Sequence, residues 1–131
     1  MPALAGAASF DYTSNDGKYV IGNGERTFTL NFGARGHGSI YVLSDPPDIK
    51  SVALGPGVTS RSDLGEPWSY DGSSRYRTIN VGDAAVIQNR HNYWAAVFVD
   101  EVLIRETSPT RNPSITFRFC VPSALEPQQP A

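Results

Sequence analysis

Nowhere in this chain do apolar side chains recur at helical spacing over ten residues, whereas two stretches alternate with a period of two. In one, Phe28, Leu30 and Phe32 alternate with Thr27, Thr29 and Asn31. In the other, Ile115, Phe117, Phe119 and Val121 alternate with Thr116, Arg118 and Cys120. A period of two sends successive side chains to opposite faces of a strand, so each stretch predicts one dry face and one wet face. Turn residues recur at short intervals around them: Asn15-Asp16-Gly17, Gly22-Asn23-Gly24, Asp45-Pro46-Pro47-Asp48 and Gly82-Asp83. Glycine accepts positive φ at such places, and proline withholds a ladder donor. The expected fold is all-β, a small β-barrel or β-sandwich of about eight short antiparallel strands.

The richest apolar stretch is 80–106. Ala84-Ala85-Val86-Ile87 and Tyr93-Trp94-Ala95-Ala96-Val97-Phe98-Val99 flank a polar break, Asn89-Arg90-His91-Asn92. This predicts a β-hairpin with both strands largely buried, its second strand bending or leaving the sheet near Asp100-Glu101. Ile40-Tyr41-Val42-Leu43 is apolar in both phases and reads as a central strand covered on two faces. Residues 9–13 and 18–21, joined through Asp16-Gly17, predict an opening hairpin. The segment 55–74 is rich in glycine and proline yet holds Trp68 and Tyr70. A long stretch without strands is uncommon in a compact domain and is usually functional. The domain reading is an N-terminal arm over 1–8, one β domain over 9–121 and a disordered tail over 122–131.

Composition narrows the function classes. A chain of 131 residues can bury a core as one domain, and 40% hydrophobic against 18% charged residues is a globular balance. The net charge is −2, with no run of like charge. A non-specific grip on nucleic acid needs a concentrated basic surface, which is not visible in the linear sequence. Cys120 is the single cysteine, so no intrachain disulfide can form. The start, MPALAGAAS, lacks the basic and long apolar segments of a signal peptide, and no apolar run approaches the roughly 20 residues of a membrane span. The expectation is a soluble cytoplasmic protein with no membrane partner.

Little in the chain points to catalysis. His37 and His91 are the only histidines, and no spacing of His, Cys and Asp asks for a metal site. No nucleophile-elbow pattern or helix supports a Ser-His-Asp triad, and Cys120 lies on the polar phase of its strand. The glycine-rich run 33–38, carrying Arg35 and His37, is followed by a strand rather than the helix of a phosphate loop, so it reads as a strand connection. No cofactor, metal or catalytic residue is assigned. A small hydrolase or isomerase built on His37 or His91 is the enzymatic alternative.

Two polar-aromatic groupings stand out. One holds Trp68, Tyr70, Arg75, Tyr76 and Arg77; the other holds Arg90, His91, Asn92, Tyr93 and Trp94. Aromatic faces beside guanidinium groups can stack on bases or sugar rings, and small β-barrels use such surfaces for both. The candidate ligand-binding residues are Trp68, Tyr70, Arg75, Arg77, Arg90, His91, Tyr93 and Trp94. They would form one surface only if the loop carrying Trp68 and Tyr70 folds beside the tip Arg90 to Trp94. The expected function is a non-catalytic module binding nucleic acid, a modified base or a sugar. The alternative is a protein-interaction or assembly module, such as a homodimer, drawn together through exposed strand edges.

Several segments also resemble, in the same order, a family of small uncharacterised bacterial all-β proteins. They are Phe10-Asp11-Tyr12 with Asn15-Asp16-Gly17-Lys18-Tyr19 and Ile21-Gly22; Ile40-Tyr41 with Asp45-Pro46-Pro47-Asp48-Ile49 and Val52-Ala53-Leu54; and Val81-Gly82-Asp83 with Ala95-Ala96-Val97. The likeness covers Phe10 to Val121 and departs over 33–38. It implies a bacterial, single-domain, intracellular protein, and it brings no activity, ligand or catalytic residue to any position.

Overall fold

The computed structural model describes residues 5–22, 24–36, 38–60, 63, 70–73, 75–103 and 113–121. Nine strands stand among them: β1 (Ala5–Phe10), β2 (Lys18–Ile21), β3 (Phe28–Gly36), β4 (Ser39–Leu43), β5 (Ile49–Gly55), β6 (Tyr76–Asn80), β7 (Ala84–Asn89), β8 (Trp94–Leu103) and β9 (Ser114–Cys120). They make two antiparallel sheets, ordered β1-β9-β8-β7-β5 and β2-β3-β4-β6, packed together without closing into a barrel. Among the described residues no helix is long and apolar enough to cross a membrane.

The alternating stretches supply the facing layers of the sandwich. Phe28, Leu30 and Phe32 of β3 are buried, as are Ile115, Phe117 and Phe119 of β9. Phe117 lies at the centre, its ring 5.4 Å from Phe32 and 5.5 Å from Tyr19. The hairpin of β7 and β8 is buried as its composition requires: every residue of β7 and the first six of β8 are covered. Its second strand keeps its place in the sheet beyond Val99. The pairing with β9 shifts register between Val99 and Glu101 and continues to Leu103.

A strand apolar in both phases needs cover on two faces. For the five-stranded sheet one cover is the other sheet, and part of the second comes from the chain after β5. Val58 packs on Ala84, Ala96 and Phe98, and Tyr70 reaches both that cluster and the neighbouring one of Ala53, Val86 and Trp94. Polar ties fix the described ends of this cover. The Gly57 N–H donates to the Asp83 carboxylate at 2.8 Å, and Arg118 donates to the Thr59 carbonyl at 2.7 Å while paired with Asp100. At the other end Arg77 donates to the Asp71 carbonyl at 2.6 Å. Gly72 lies so close to β5 that a Cβ there would sit 2.8 Å from the Cβ of Ser51. The glycine- and proline-rich segment therefore lacks strands at its described ends because it serves as a cover.

Three local expectations are corrected. Residues 9–13 and 18–21 do not pair as a hairpin: β1 pairs with β9 in one sheet, and β2 pairs with β3 in the other. The Asn15-Asp16-Gly17 turn carries the chain between sheets, with all three residues at positive φ. The first strand begins at Ala5, inside the stretch read as an arm. β4 is central in its sheet, but only Ser39, Ile40 and Val42 are buried; Tyr41 and Leu43 are half-buried on the outer face. The proposed tail, 122–131, lies outside the described residues.

Candidate functional site

Most described candidates are engaged within the protein. The hairpin tip is organised by Asn89, which is 1% exposed. Its amide nitrogen donates to the carbonyls of Glu25 (2.8 Å) and Thr27 (3.1 Å), and its carbonyl oxygen accepts from the backbone N–H groups of His91 and Tyr93, both at 3.0 Å. One side chain thus shapes the tip and ties it to the turn before β3. Asn92 takes the positive φ that completes the tip, and Lys50 donates to its side-chain oxygen at 3.0 Å. His91 stands exposed, with Nδ1 3.7 Å from the Glu25 carboxylate. Tyr93 is half-buried against the core, and the Arg26 guanidinium lies 6.0 Å from its ring centre.

The arginines flank the turn between β4 and β5. Arg90 donates to the Pro47 carbonyl at 3.3 Å, and Arg75 makes a two-bonded pair with Asp45 at 2.8 and 2.7 Å. Arg77 points elsewhere. It spans from β6 to β5, reaching the Val52 carbonyl at 3.4 Å and standing 3.5 Å from the Asp71 carboxylate. Tyr70 does fold onto the cluster that contains Trp94, and Trp94 is 8% exposed there. That contact serves packing rather than an open stacking surface. Trp68 and His37 lie outside the described residues.

A more open aromatic surface lies on the outer face of β2-β3-β4-β6. Strand register sets its rows: Lys18, Asn31, Leu43 and Tyr76 stand abreast, and Gly33, Tyr41 and Thr78 form the next row. The Tyr41 and Tyr76 rings meet edge to face, with centroids 5.1 Å apart and planes at 84°. Tyr76 is 50% exposed, and Val20 is 45% exposed toward the far edge. Gly33 makes room for the arrangement: a Cβ there would lie 3.4 Å from Leu43 Cδ1 and 3.5 Å from Tyr41 Cβ. Arg75, 71% exposed but held by Asp45, marks the rim. Tyr76 belongs to one of the polar-aromatic groupings in the sequence. Tyr41 was hidden in a run that reads as buried in both phases, and the one available signal was Gly33, on the wet phase of β3.

Carboxylates tune the loops around these surfaces. Asp45 is held below the usual carboxylate range chiefly by its bond to Arg75, Asp63 by the Thr59 hydroxyl, and Asp71 by Ser73. A carboxyl that binds its proton less tightly when folded stabilises the fold above its unfolded value, near pH 4, and loses that effect as pH falls through the folded value. The urea midpoint is therefore expected to drop between about pH 6 and about pH 3. An Asp63→Asn, Asp71→Asn double variant should show a shallower drop, and an unchanged slope would contradict these assignments.

No family model, curated protein or solved structure matches this chain.

Proposed function

We propose that the chain is a non-catalytic binding module and that its ligand is a neutral saccharide taken on the outer face of the four-stranded sheet. The observation that carries this reading is Tyr76, half exposed and braced edge-on by Tyr41 among Thr78, Asn31 and Leu43. A fixed aromatic ring is an apolar platform for the C–H face of a sugar, and amide and hydroxyl neighbours suit its hydroxyl groups. Charge favours a sugar over nucleic acid. Arg75, Arg77 and Arg118 each face a carboxylate within the protein, so engaging phosphates would compete with existing pairs. The overall charge of −2 adds no attraction for a polyanion.

Glycan-array screening followed by calorimetry tests the reading. Tyr76→Ala is expected to weaken binding about tenfold, the equivalent of about 1.4 kcal/mol, while Tyr76→Phe keeps most of the affinity. Single-stranded oligonucleotides should bind weakly or not at all at low salt. Salt-sensitive oligonucleotide binding, or glycan binding indifferent to Tyr76→Ala, would overturn it.

A further inference from the structure

The sandwich has four edge strands, and three of them carry a guard. The β5 edge has the Arg77 side chain on its Val52 carbonyl and Gly72 packed against Ser51. Arg77 itself rises from β6, joining these two edges across the gap. β2 is only four residues long and begins with Lys18, and a short, charged strand is a poor template for another chain. β1 differs on every count. Ala5–Phe10 ends the five-stranded sheet, pairs with β9 over six residues in regular register, and carries no charge, proline or bulge. Ala5, Gly6, Ala7 and Ser9 are exposed. Among the described residues no turn or loop backbone bond reaches this strand.

We infer that β1 is a self-association edge, pairing antiparallel with β1 of a second copy about a two-fold axis at Ala7, which sets Ala5 opposite Ser9 and Gly6 opposite Ala8. An added foreign peptide gains its specificity from pockets for alternate side chains. From Ala5 to Ser9 the strand holds only alanine, glycine and serine, and the Phe10 ring packs back on the core, so this stretch supplies no such pockets and offers its backbone alone. Its own copy satisfies that offer without side-chain conflict, because small neutral residues then face small neutral residues and no like charges meet. Gly6 also leaves the sheet thin in front of the Phe119 ring, whose Cζ would be 3.3 Å from a Cβ at that position. A neighbouring strand would cover that edge. The two five-stranded sheets would continue as one, while the saccharide face, in the other sheet, stays outside the junction.

One strand edge makes a small interface, below the roughly 1,200 Å² of standard complexes, so the dimer should depend on concentration. Sedimentation velocity over a wide range of protein concentration is expected to show the 14.2 kDa monomer giving way to a species of twice that mass. Ala7→Lys and Ala7→Glu should each remain monomeric alone, through like charges beside the axis. An equimolar mixture of the two should restore the dimer. Circular dichroism confirms that each variant stays folded. A monomer at every concentration overturns the inference, as does a dimer that both single variants leave intact.

Discussion

Replacing Asn89 by alanine is expected to cost about 3 kcal/mol or more in urea unfolding. Four backbone groups lose their partner together: the Glu25 and Thr27 carbonyls and the His91 and Tyr93 N–H groups. Each buried group left unpaired costs about 1–3 kcal/mol, tempered where water can reach it. Asn89 is fully covered, so little relief is available at its own position. Asn89→Asp makes the sharper test. A carboxylate could still accept from His91 and Tyr93, but it would turn an acceptor toward two carbonyls and bury a charge. It should be at least as damaging as alanine. A loss under about 1 kcal/mol for both variants would show that the tip holds its shape through its strands alone.

Asn89 also shows where the sequence stops being readable. In the chain it belongs to a polar break of four residues, beside Arg90 and His91, which carry the more conspicuous chemistry. Its importance comes from Glu25 and Thr27, more than sixty positions away, and composition cannot announce a contact of that range. The all-β class was legible because alternation is local: Phe28, Leu30 and Phe32 declare their dry face within five residues. The buried β7–β8 hairpin was legible for the same reason. Which strands share a sheet was not. β1 and β2 sit close in sequence around a strong turn signal, yet three consecutive positive φ values at Asn15, Asp16 and Gly17 send the chain across to the other sheet. The candidate site divided along the same line. Arg75 and His91 kept exposed positions, whereas Trp94 went under Tyr70, because only the tertiary fold decides which apolar phase of the chain receives a cover.

Gly22→Ala is expected to destabilise by well over 2 kcal/mol, and Gly24→Ala, two positions away, by only about 1 kcal/mol. Both glycines have positive φ, 80° and 57°, which a Cβ makes unfavourable by about 1–2 kcal/mol. They differ in their surroundings. A Cβ on Gly24 would meet nothing within 4 Å, whereas one on Gly22 would run into the Arg26 carbonyl oxygen and stand 3.3 Å from Thr27 Cα. Both obstacles are backbone, so no side-chain rotation relieves the overlap. The residues displaced are those that lead into β3 and offer the Thr27 carbonyl to Asn89. Movement there disturbs the same tie between sheets from its opposite end. Thermal unfolding of the two variants side by side separates the cost of the φ angle, common to both, from that of the close approach. Equal losses would mean that the chain around Arg26 yields easily, and that the turn before β3 is held by Asn89 rather than by the approach of Gly22. A combined Gly22→Ala, Asn89→Ala variant then distinguishes the cases: losses that fall short of additive identify one shared structural unit, and fully additive losses identify two independent ones.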